Sequence, residues 1–399
     1  MSTQLFQRLQ QNLTDLEKQG TYKYLKSIEG PIGAKIKLEG RNDISLLSSN
    51  DYLGLANHPQ VVKAAQEALR RYGASTASVR FICGTQDIHR RLEEALAGLH
   101  KCEAALTYSS CWAANTGLFS AICEGGDVIL SDELNHASLI DGIRATNKSV
   151  TREVYRHSDM SHLERLLKQY SAAASRIIVT DGVFSMEGDI APLDQIVRLA
   201  KKYDAIIVLD DSHGLGVLGQ TGLGVAEHFG VLEDINIFTG TLGKALGAGT
   251  GGFVAGPKSV TETLVQKSRP HLFSNALPPS VAAAACKSIE LLNSNPKWVT
   301  QTQEKARWFR CYLKELGLSP LEGESAIVPV ILGETSVAIR VAAKLLNKGI
   351  FVTGFGFPVV PEGEARLRFQ ISRAHTQAQL EEAANLLRTC LTEEGILQS

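Results

Sequence analysis

The chain has 399 residues, of which 44% are hydrophobic and 21% are charged. These values are typical of a globular protein of two or three domains, and they exclude a disordered or fibrous chain. The net charge of −1 argues against bulk attraction to nucleic acid or to an anionic membrane. Any anionic ligand must therefore be held by local groups.

The cysteines and the apolar runs indicate the compartment. Seven cysteines without a Cys-x-x-Cys pair argue against a disulfide framework and against a zinc site. The first residues lack the apolar core of a signal peptide, and no apolar run is long enough to span a bilayer. We expect a cytoplasmic protein with no metal site, no membrane contact and no nucleic-acid partner.

The first predicted segment, residues 1–58, is a helix followed by an arm. Apolar side chains recur at helical spacing between residues 2 and 18: Leu5, Phe6, Leu9, Leu13 and Leu16. Such a helix needs a surface on which to pack, and a partner subunit is a natural candidate. A short strand then leads into a polar turn that contains Asn50 and Tyr52.

Residues 59–294 alternate between helical stretches and short apolar runs. The runs are AALTY (104–108), DVIL (127–130), RIIVT (176–180), AIIVL (205–209), INIF (235–238) and GFVA (252–255). Continuous apolar strands separated by helices predict an α/β domain with a mostly parallel sheet covered on both faces. In such sheets, ligands bind at the carboxyl ends of the strands.

Polar side chains follow five of these runs. They are Ser110, Cys111, Trp112 and Asn115 after the first, Asn135 and His136 after the second, Asp181 and Ser185 after the third, Asp210 and His213 after the fourth, and Lys244 after the fifth. Random placement would seldom bring Ser, Asn, His, Asp and Lys to one sheet edge. A cofactor site explains this distribution.

Lys244 lies in the glycine-rich turn TGTLGKALG (239–247). A lysine that must reach a bound carbonyl compound needs a tight, open loop, which predicts a Schiff-base residue. A solvated surface lysine is the ordinary alternative. A phosphate-binding loop of the Walker type fails on spacing, and Ala245 stands where that loop has a metal-binding Ser or Thr.

The glycines at 214, 216 and 219 match G-x-G-x-x-G directly after a strand. Further glycines at 222 and 224 interrupt the helix that a dinucleotide site requires, and no acidic residue ends a strand about 20 positions on. This match is therefore rejected as a dinucleotide fingerprint.

Asp210 and Lys244 together fit pyridoxal 5′-phosphate (PLP), because a carboxylate usually holds the pyridine nitrogen of a lysine-bound PLP. His213 could donate to the phenolic oxygen, and His136 could stack on the ring. The amides of Cys111 and Trp112 at a helix start and the hydroxyl of Thr241 could hold the phosphate. Taken singly, each residue also has an ordinary structural role.

Residues 295–399 predict a smaller α+β domain with an antiparallel sheet, because the alternation stops there. Arg366 and Arg368 alternate with apolar residues on one strand and so share a face. Strand arginines usually meet carboxylates of the protein, but arginine also clamps substrate carboxylates. We predict one arginine in each role.

The sequence resembles the α-oxoamine synthases, which are fold type I PLP enzymes, over nearly its whole length. The matching segments are NDYLGLANH (50–58), ASVRFICGTQ (77–86), LNHAS (134–138), TDGVFSM (180–186), TGTLGKALG (239–247), SRPHLFSN (268–275) and the region from VTGF to PVVP (352–361). The segments 77–86 and 358–361 point to the acetyltransferase branch of the family.

The resemblance implies a role for each site residue. Lys244 binds PLP covalently, Asp210 holds the pyridine nitrogen, His213 and Ser185 lie near the phenolic oxygen, and His136 stacks on the ring. The phosphate is held by Cys111, Trp112 and Thr241, with Ser274 contributed across a homodimer interface. Asn50 and Arg368 hold the substrate carboxylate.

The implied activity is the reversible condensation of glycine with acetyl-CoA to give 2-amino-3-oxobutyrate and CoA, in threonine and glycine metabolism. Lys244 would remove the Cα proton. Within the family, 8-amino-7-oxononanoate synthesis from alanine and a pimeloyl thioester is an alternative. A PLP-dependent aminotransferase and a non-catalytic PLP-binding regulator are further alternatives.

Overall fold

The computed structural model describes residues 3–397. Its strands are β1 (Ile28–Glu29), β2 (Lys35–Leu38), β3 (Arg41–Leu46), β4 (Ala104–Tyr108), β5 (Val128–Asp132), β6 (Thr151–Tyr155), β7 (Arg176–Asp181), β8 (Ile206–Asp210), β9 (Ile237–Thr241), β10 (Gly252–Gly256), β11 (Ile327–Gly333), β12 (Ile350–Phe351), β13 (Thr353–Phe355) and β14 (Ala365–Gln370). Its α-helices are α1 (Thr3–Lys18), α2 (Pro59–Tyr72), α3 (Asp87–Leu99), α4 (Cys111–Ile122), α5 (Ala137–Arg144), α6 (Met160–Gln169), α7 (Leu193–Tyr203), α8 (Val225–His228), α9 (Lys258–Lys267), α10 (Arg269–Leu272), α11 (Pro279–Ser294), α12 (Lys297–Glu315), α13 (Thr335–Asn347) and α14 (Gln377–Glu393).

The larger of two compact units comprises Asn50–Ser185 and Asp189–Gln303. Its seven-stranded sheet has the order β4-β10-β9-β8-β7-β5-β6. The pairs β6-β5, β5-β7, β7-β8 and β8-β9 are parallel, as the apolar runs predict. The strand β10 is antiparallel to both β4 and β9, so the sheet is mostly parallel, as predicted, but not wholly so.

The sheet of the larger unit is buried because helices cover it. Every side chain of β5 and of β10 is buried. Helices α4, α5 and α9 contribute Leu118, Leu139 and Leu264 to a core cluster that also contains strand residues such as Val179. Hydrophobic burial of this kind is the main source of stability for a sheet covered by helices.

The glycine-rich stretch after β8 forms turns. Gly216 and Gly219 have φ angles of 77° and 82°, and the next helix, α8, has four residues. This conformation agrees with the rejection of a dinucleotide fingerprint, since that motif opens a full helix.

The smaller unit contains residues up to Ser49, Met186–Gly188 and residues from Glu304 on. It holds an antiparallel three-stranded sheet, β11-β14-β13, and a four-stranded sheet, β1-β2-β3-β12. In the latter, β12 pairs in parallel with β3, so that Ile350 lies opposite Ser45. The antiparallel sheet agrees with the α+β prediction for residues 295–399.

The two units divide the chain differently from the expected segments 1–58, 59–294 and 295–399. The N-terminal strands join the C-terminal residues because β3 and β12 share a sheet. The core of the smaller unit accordingly combines Leu47 with Phe309, Phe369 and Leu387. A pairing across about 300 residues leaves no local signal in the sequence.

Helix α1 is amphipathic, as its spacing predicts, and none of its residues is buried within this chain. Its apolar side chains remain 40–71% exposed. Across residues 3–397, the structure has no helix whose length and apolar content would allow it to traverse a bilayer.

Candidate active site

The ends of five strands meet at one edge of the large sheet. Strands β5, β7, β8 and β9 run parallel, and β4 has the same direction because two antiparallel pairings separate it from β9. The side chains that follow these strands lie close enough for the charge of one to shift the pKa of another. The charges of both Asp210 and Lys244 act on the thiol of Cys111 and on the ring of His136.

Asp210 ends β8 and is only 3% exposed. Its Oδ2 accepts a hydrogen bond from the amide of Asn115 at 2.6 Å and a weaker one from the Cys111 thiol at 3.6 Å. Its Oδ1 accepts from the backbone N–H of Ser212 at 3.0 Å. The carboxylate is thus held by neutral donors, which fix its position without cancelling its charge.

His136 is the residue before α5, and both its backbone and its ring are fixed. Its backbone N–H donates to Asp181 Oδ2 at 2.7 Å. Its Nδ1 accepts from the backbone N–H of Ser138 at 3.2 Å and lies 2.7 Å from the Ser138 hydroxyl. The indole of Trp112 contacts the ring edge-on, with 6.0 Å between ring centroids.

Burial sets the charges around this edge. Burial lowers the pKa of His136, so its ring is neutral at neutral pH. Burial, reinforced by the charge of Asp210, raises the pKa of Asp181 well above its ordinary value. Burial likewise raises the pKa of Cys111, which is therefore a thiol and not a thiolate.

The turn that carries Lys244 is packed tightly. Gly247 has a φ of 61°, and a side chain there would meet the backbone of Leu55 and Ala56 at 2.6 Å. The Thr241 hydroxyl donates to the Gly251 carbonyl at 3.2 Å and accepts from the Gly243 N–H at 3.2 Å. Glycine at these positions brings the turn against the loop that follows Asn50.

Tyr52 connects that loop to His213. Its hydroxyl lies 2.8 Å from Nδ1 of His213 and 3.4 Å from Oδ1 of Asn50. Asp51 accepts the backbone N–H groups of Leu55 and Ala56 at 2.8 and 3.2 Å, which holds the loop in shape. The structure therefore brings Asn50 and His213 into one hydrogen-bonded group.

The start of α4 has the properties of an anion site. The Ser110 hydroxyl caps the helix by accepting the Ala113 N–H at 3.1 Å. The N–H groups of Cys111 and Trp112 belong to the first turn, where helices have no internal acceptors. A Cβ at Gly252 would lie 2.3 Å from the Cys111 nitrogen, so only glycine lets the sheet approach these amides.

These features together fit PLP. The site offers a lysine, a buried carboxylate that accepts from an amide, a backbone N–H and a thiol, a neutral histidine ring and a helix N-terminus. Each corresponds to one part of the cofactor: the aldehyde, the ring nitrogen, the ring face and the phosphate.

Three further predicted residues lie on other segments of the chain. Ser185 is half-buried in a hairpin closed by the bridge between Val183 and Ile190, and Ser274 is exposed in the turn after α10. Arg368 lies on β14 of the smaller unit. Within residues 3–397, no three His, Cys, Asp or Glu side chains are grouped so as to hold a metal ion.

The two strand arginines differ in their partners. Arg366 is 1% exposed and forms ion pairs with Glu187 and Glu364, each at 3.1 Å. Arg368 lies over the ring of Phe355, with 4.7 Å from its guanidinium carbon to the ring centroid. Arg366 thus meets carboxylates of the protein, as one of the pair was predicted to do.

Sequence reasoning gave no role to Asn115 or Ser138, which the structure places beside Asp210 and His136. A signal for Asn115 was present. It follows Cys111 by four residues in a helix, so the two side chains share a face.

The fold and the grouped lysine, aspartate and histidines define a class, the fold type I PLP-dependent enzymes. A family model described as aminotransferase class I and II matches residues 42–387. A serine palmitoyltransferase structure from Sphingomonas wittichii is 30% identical, with a TM-score of 0.93 over 100% of both chains. A high-resolution structure of SPT with a PLP internal aldimine gives the same identity and TM-score.

Two curated relatives narrow the class of fold type I PLP-dependent enzymes to one family. The mitochondrial 2-amino-3-ketobutyrate coenzyme A ligase of Bos taurus is 43% identical over 374 residues, which cover 94% of this chain and 89% of the relative. The 8-amino-7-oxononanoate synthase of Thermoanaerobacter pseudethanolicus is 44% identical over 376 residues, which cover 94% of each. The chain belongs to the α-oxoamine synthases, and its cofactor is PLP.

Proposed function

We propose that this enzyme condenses glycine with acetyl-CoA, reversibly, to give 2-amino-3-oxobutyrate and CoA in threonine and glycine metabolism. The observation that carries the choice of substrates is the segment 77–86, which resembles the acetyltransferase branch. Relatives named 2-amino-3-ketobutyrate coenzyme A ligase, from cattle, mouse and human, support it at 43% identity.

In this proposal, Lys244 binds the cofactor and then moves the proton at the glycine Cα. When bound, PLP supplies an electron sink for the pair left on that carbon. Asp210 holds a negative charge for the ring nitrogen, and the neutral ring of His136 covers one ring face without adding charge. The protein thereby contributes orientation and charge placement.

Further groups would hold the phenolic oxygen and the phosphate of the cofactor and the carboxylate of the substrate. His213, hydrogen-bonded to Tyr52, and Ser185 would hold the phenolic oxygen. The amides of Cys111 and Trp112, the hydroxyl of Thr241 and the partner subunit's Ser274 would hold the phosphate. Asn50 and Arg368 would hold the glycine carboxylate, because a guanidinium matches a carboxylate with two parallel hydrogen bonds.

We further propose that the enzyme works as a cytoplasmic homodimer. Phe81, Ile82 and Phe273 are 60–69% exposed, and the apolar side chains of α1 are 40–71% exposed in the described part of the chain. A second copy would bury these groups and bring Ser274 to a site. A monomeric mass in light scattering at micromolar concentration would contradict this arrangement.

A second candidate is the synthesis of 8-amino-7-oxononanoate from alanine and a pimeloyl thioester. The identity of 44% to a synthase of that name favours it. One or two side chains in the substrate pocket could separate the two activities, because a methylene contributes only about 1–3 kcal/mol to discrimination.

The deciding experiment measures CoA release for glycine or alanine with acetyl-CoA or pimeloyl-CoA. Chromatography is the suitable detection, because thiol reagents react with the seven cysteines of the protein. Turnover confined to glycine with acetyl-CoA supports the proposal. Turnover confined to alanine with pimeloyl-CoA establishes the second candidate.

The same assay tests the role of Lys244. Lys244→Ala should reduce CoA release by at least about 10³-fold, because it removes both the covalent attachment and the proton carrier. Lys267→Ala, at an exposed surface lysine paired with Glu124, is a matched control and should leave turnover unchanged. A Lys244→Ala enzyme that keeps both turnover and the visible absorbance of bound PLP would overturn the assignment.

A further inference from the structure

Asn115 connects two groups that the proposed function places against the cofactor ring. Its amide nitrogen lies 2.6 Å from Oδ2 of Asp210 and 2.9 Å from the hydroxyl of Ser138. A primary amide has two N–H donors, so both bonds form at once. One side chain thus holds the acid on one side and the partner of His136 on the other.

The direction of each hydrogen bond follows from chemistry. With the Asn115 amide reversed, its oxygen would face the Asp210 carboxylate at 2.6 Å, and two acceptors would repel. Because Ser138 accepts from Asn115, its own proton is directed to Nδ1 of His136. The backbone N–H of Ser138 donates to the same Nδ1, so the ring proton must reside on Nε2.

Burial prevents water from replacing the hydrogen bonds of this chain. Asn115, Ser138 and Asp210 are 0%, 1% and 3% exposed. Water cannot replace a lost donor at such a depth, and an unpaired carboxylate there is costly. The carbonyl oxygen of Asn115 has no hydrogen-bond partner among the described residues, so the two donor bonds set the orientation of the amide.

We infer that Asn115 is a positioning residue that fixes, through one amide, both the Asp210 carboxylate and the tautomer and orientation of the His136 ring. The inference rests on the proposed function, which puts these two groups on the cofactor. A neutral donor suits the task, since it orients Asp210 and leaves its negative charge for the ring nitrogen.

The test uses the full-length holoenzyme and four variants. Asn115→Leu removes both donors at similar volume, and Asn115→Asp keeps the shape but replaces the amide with a carboxyl group. Ser138→Ala breaks only the branch to His136. Asp210→Asn removes the charge itself. The readouts are the pH midpoint of the visible absorbance of bound PLP, the PLP dissociation constant and the melting temperature of the apoprotein.

We expect Asn115→Leu and Asn115→Asp to shift the absorbance midpoint by about one pH unit and to weaken PLP binding about tenfold, the size expected for loss of a hydrogen bond to a charged group. Ser138→Ala should have a smaller effect. In steady-state assays, the Asn115 variants should lower kcat more than they change KM, because substrate contacts remain.

The outcomes separate this inference from the assignment of the site. If Asp210→Asn shifts the midpoint and both Asn115 variants retain the wild-type midpoint and PLP affinity, Asn115 serves only packing and the inference fails. If Asp210→Asn itself leaves the midpoint unchanged, Asp210 does not hold the ring nitrogen, and the proposed site fails together with the inference. Asn115→Asp, which is isosteric, keeps the test decisive if Asn115→Leu does not fold.

Discussion

Two buried carboxylates of the larger unit have opposite surroundings. The Glu93 carboxylate accepts hydrogen bonds from the two terminal guanidinium nitrogens of Arg80, at 2.7 and 3.1 Å, and both side chains are 5% exposed. The backbone N–H and the hydroxyl of Thr107 also donate to Glu93, at 3.1 and 3.0 Å. Asp210, in contrast, receives an amide, a backbone N–H and a thiol.

The difference separates a structural cluster from a chemical one. The charge of Glu93 is cancelled by Arg80, which anchors the π-helical turn Arg80–Gly84 to β4. The hydrogen-bond donors of Asp210 fix the position of its carboxylate but do not cancel its charge. A cationic group of a ligand can therefore form an ion pair with it. A buried acid held by neutral donors is therefore a better marker of a site than a buried ion pair.

The largest expected effect tests the first cluster. Arg80→Ala should lower the free energy of unfolding by about 3–5 kcal/mol, because it leaves the buried Glu93 carboxylate with only the exposed Arg90, at 3.3 Å, as a cationic partner. Urea denaturation of the apoprotein measures the loss. The double variant Arg80→Met with Glu93→Leu should recover most of it, and a loss below about 1 kcal/mol for Arg80→Ala would show that water reaches Glu93.

His157 provides an intermediate case. It follows β6 and lies between Asp132, the last residue of β5, and Asp189, in the loop after β7, at 2.9 and 2.8 Å. Burial alone would lower the pKa of His157, but hydrogen bonds to the two carboxylates outweigh it and raise the pKa to about 10. The ring is therefore charged at neutral pH.

The raised pKa predicts a pH-dependent stability. The charged His157 ring contributes fully to the free energy of unfolding below its ordinary pKa of 6.5. This contribution is lost as the pH rises toward 10. His157→Gln should cost about 2 kcal/mol at pH 7, less than Arg80→Ala because Asp189 is partly exposed. Melting curves from pH 6 to 10 should converge for wild type and variant, and parallel curves would contradict the prediction.

The smallest effect is expected at the surface. Arg198 and Asp194 are 2.8 Å apart, almost as close as Arg80 and Glu93, but their side chains are 67% and 36% exposed. Arg198→Ala should change the free energy of unfolding by less than about 0.5 kcal/mol, because water and salt screen the pair. A larger loss in the same urea assay would mean that distance matters more than burial.

Much of the fold could be predicted from local patterns. The apolar runs gave β4, β5, β7, β8 and β9, and helical spacing gave α1. The edge strand β6 (Thr151–Tyr155) was missed because its first three residues are polar or charged and no apolar run marks it. The direction of β10 and the pairing of β3 with β12 could not be predicted, since neither leaves a local trace in the sequence.

For the site, the rule that ligands bind at the carboxyl ends of parallel strands identified the residues but not the hydrogen bonds between them. It placed Asp210, His136 and Lys244 at one edge, and the roles carried over from the family resemblance stay predictions. The rule could not say that Arg366 pairs with Glu187 and Glu364, because Arg366 and Arg368 share a face of one strand and the pairing depends on tertiary neighbours. Asn115 was named among the polar residues after the first run, but it received no role because the part played by a helical asparagine depends on its partners in the folded chain.

The sheet that joins β3 to β12 also governs the order in which the nascent chain can fold. Ser45 and Ile350 are sheet neighbours but are separated by about 305 positions. At roughly 5–20 residues per second, the ribosome needs about 15–60 s to deliver the second strand after the first. The larger unit is synthesised within that interval, while the edge of β3 waits without its partner and is exposed to chaperones and proteases.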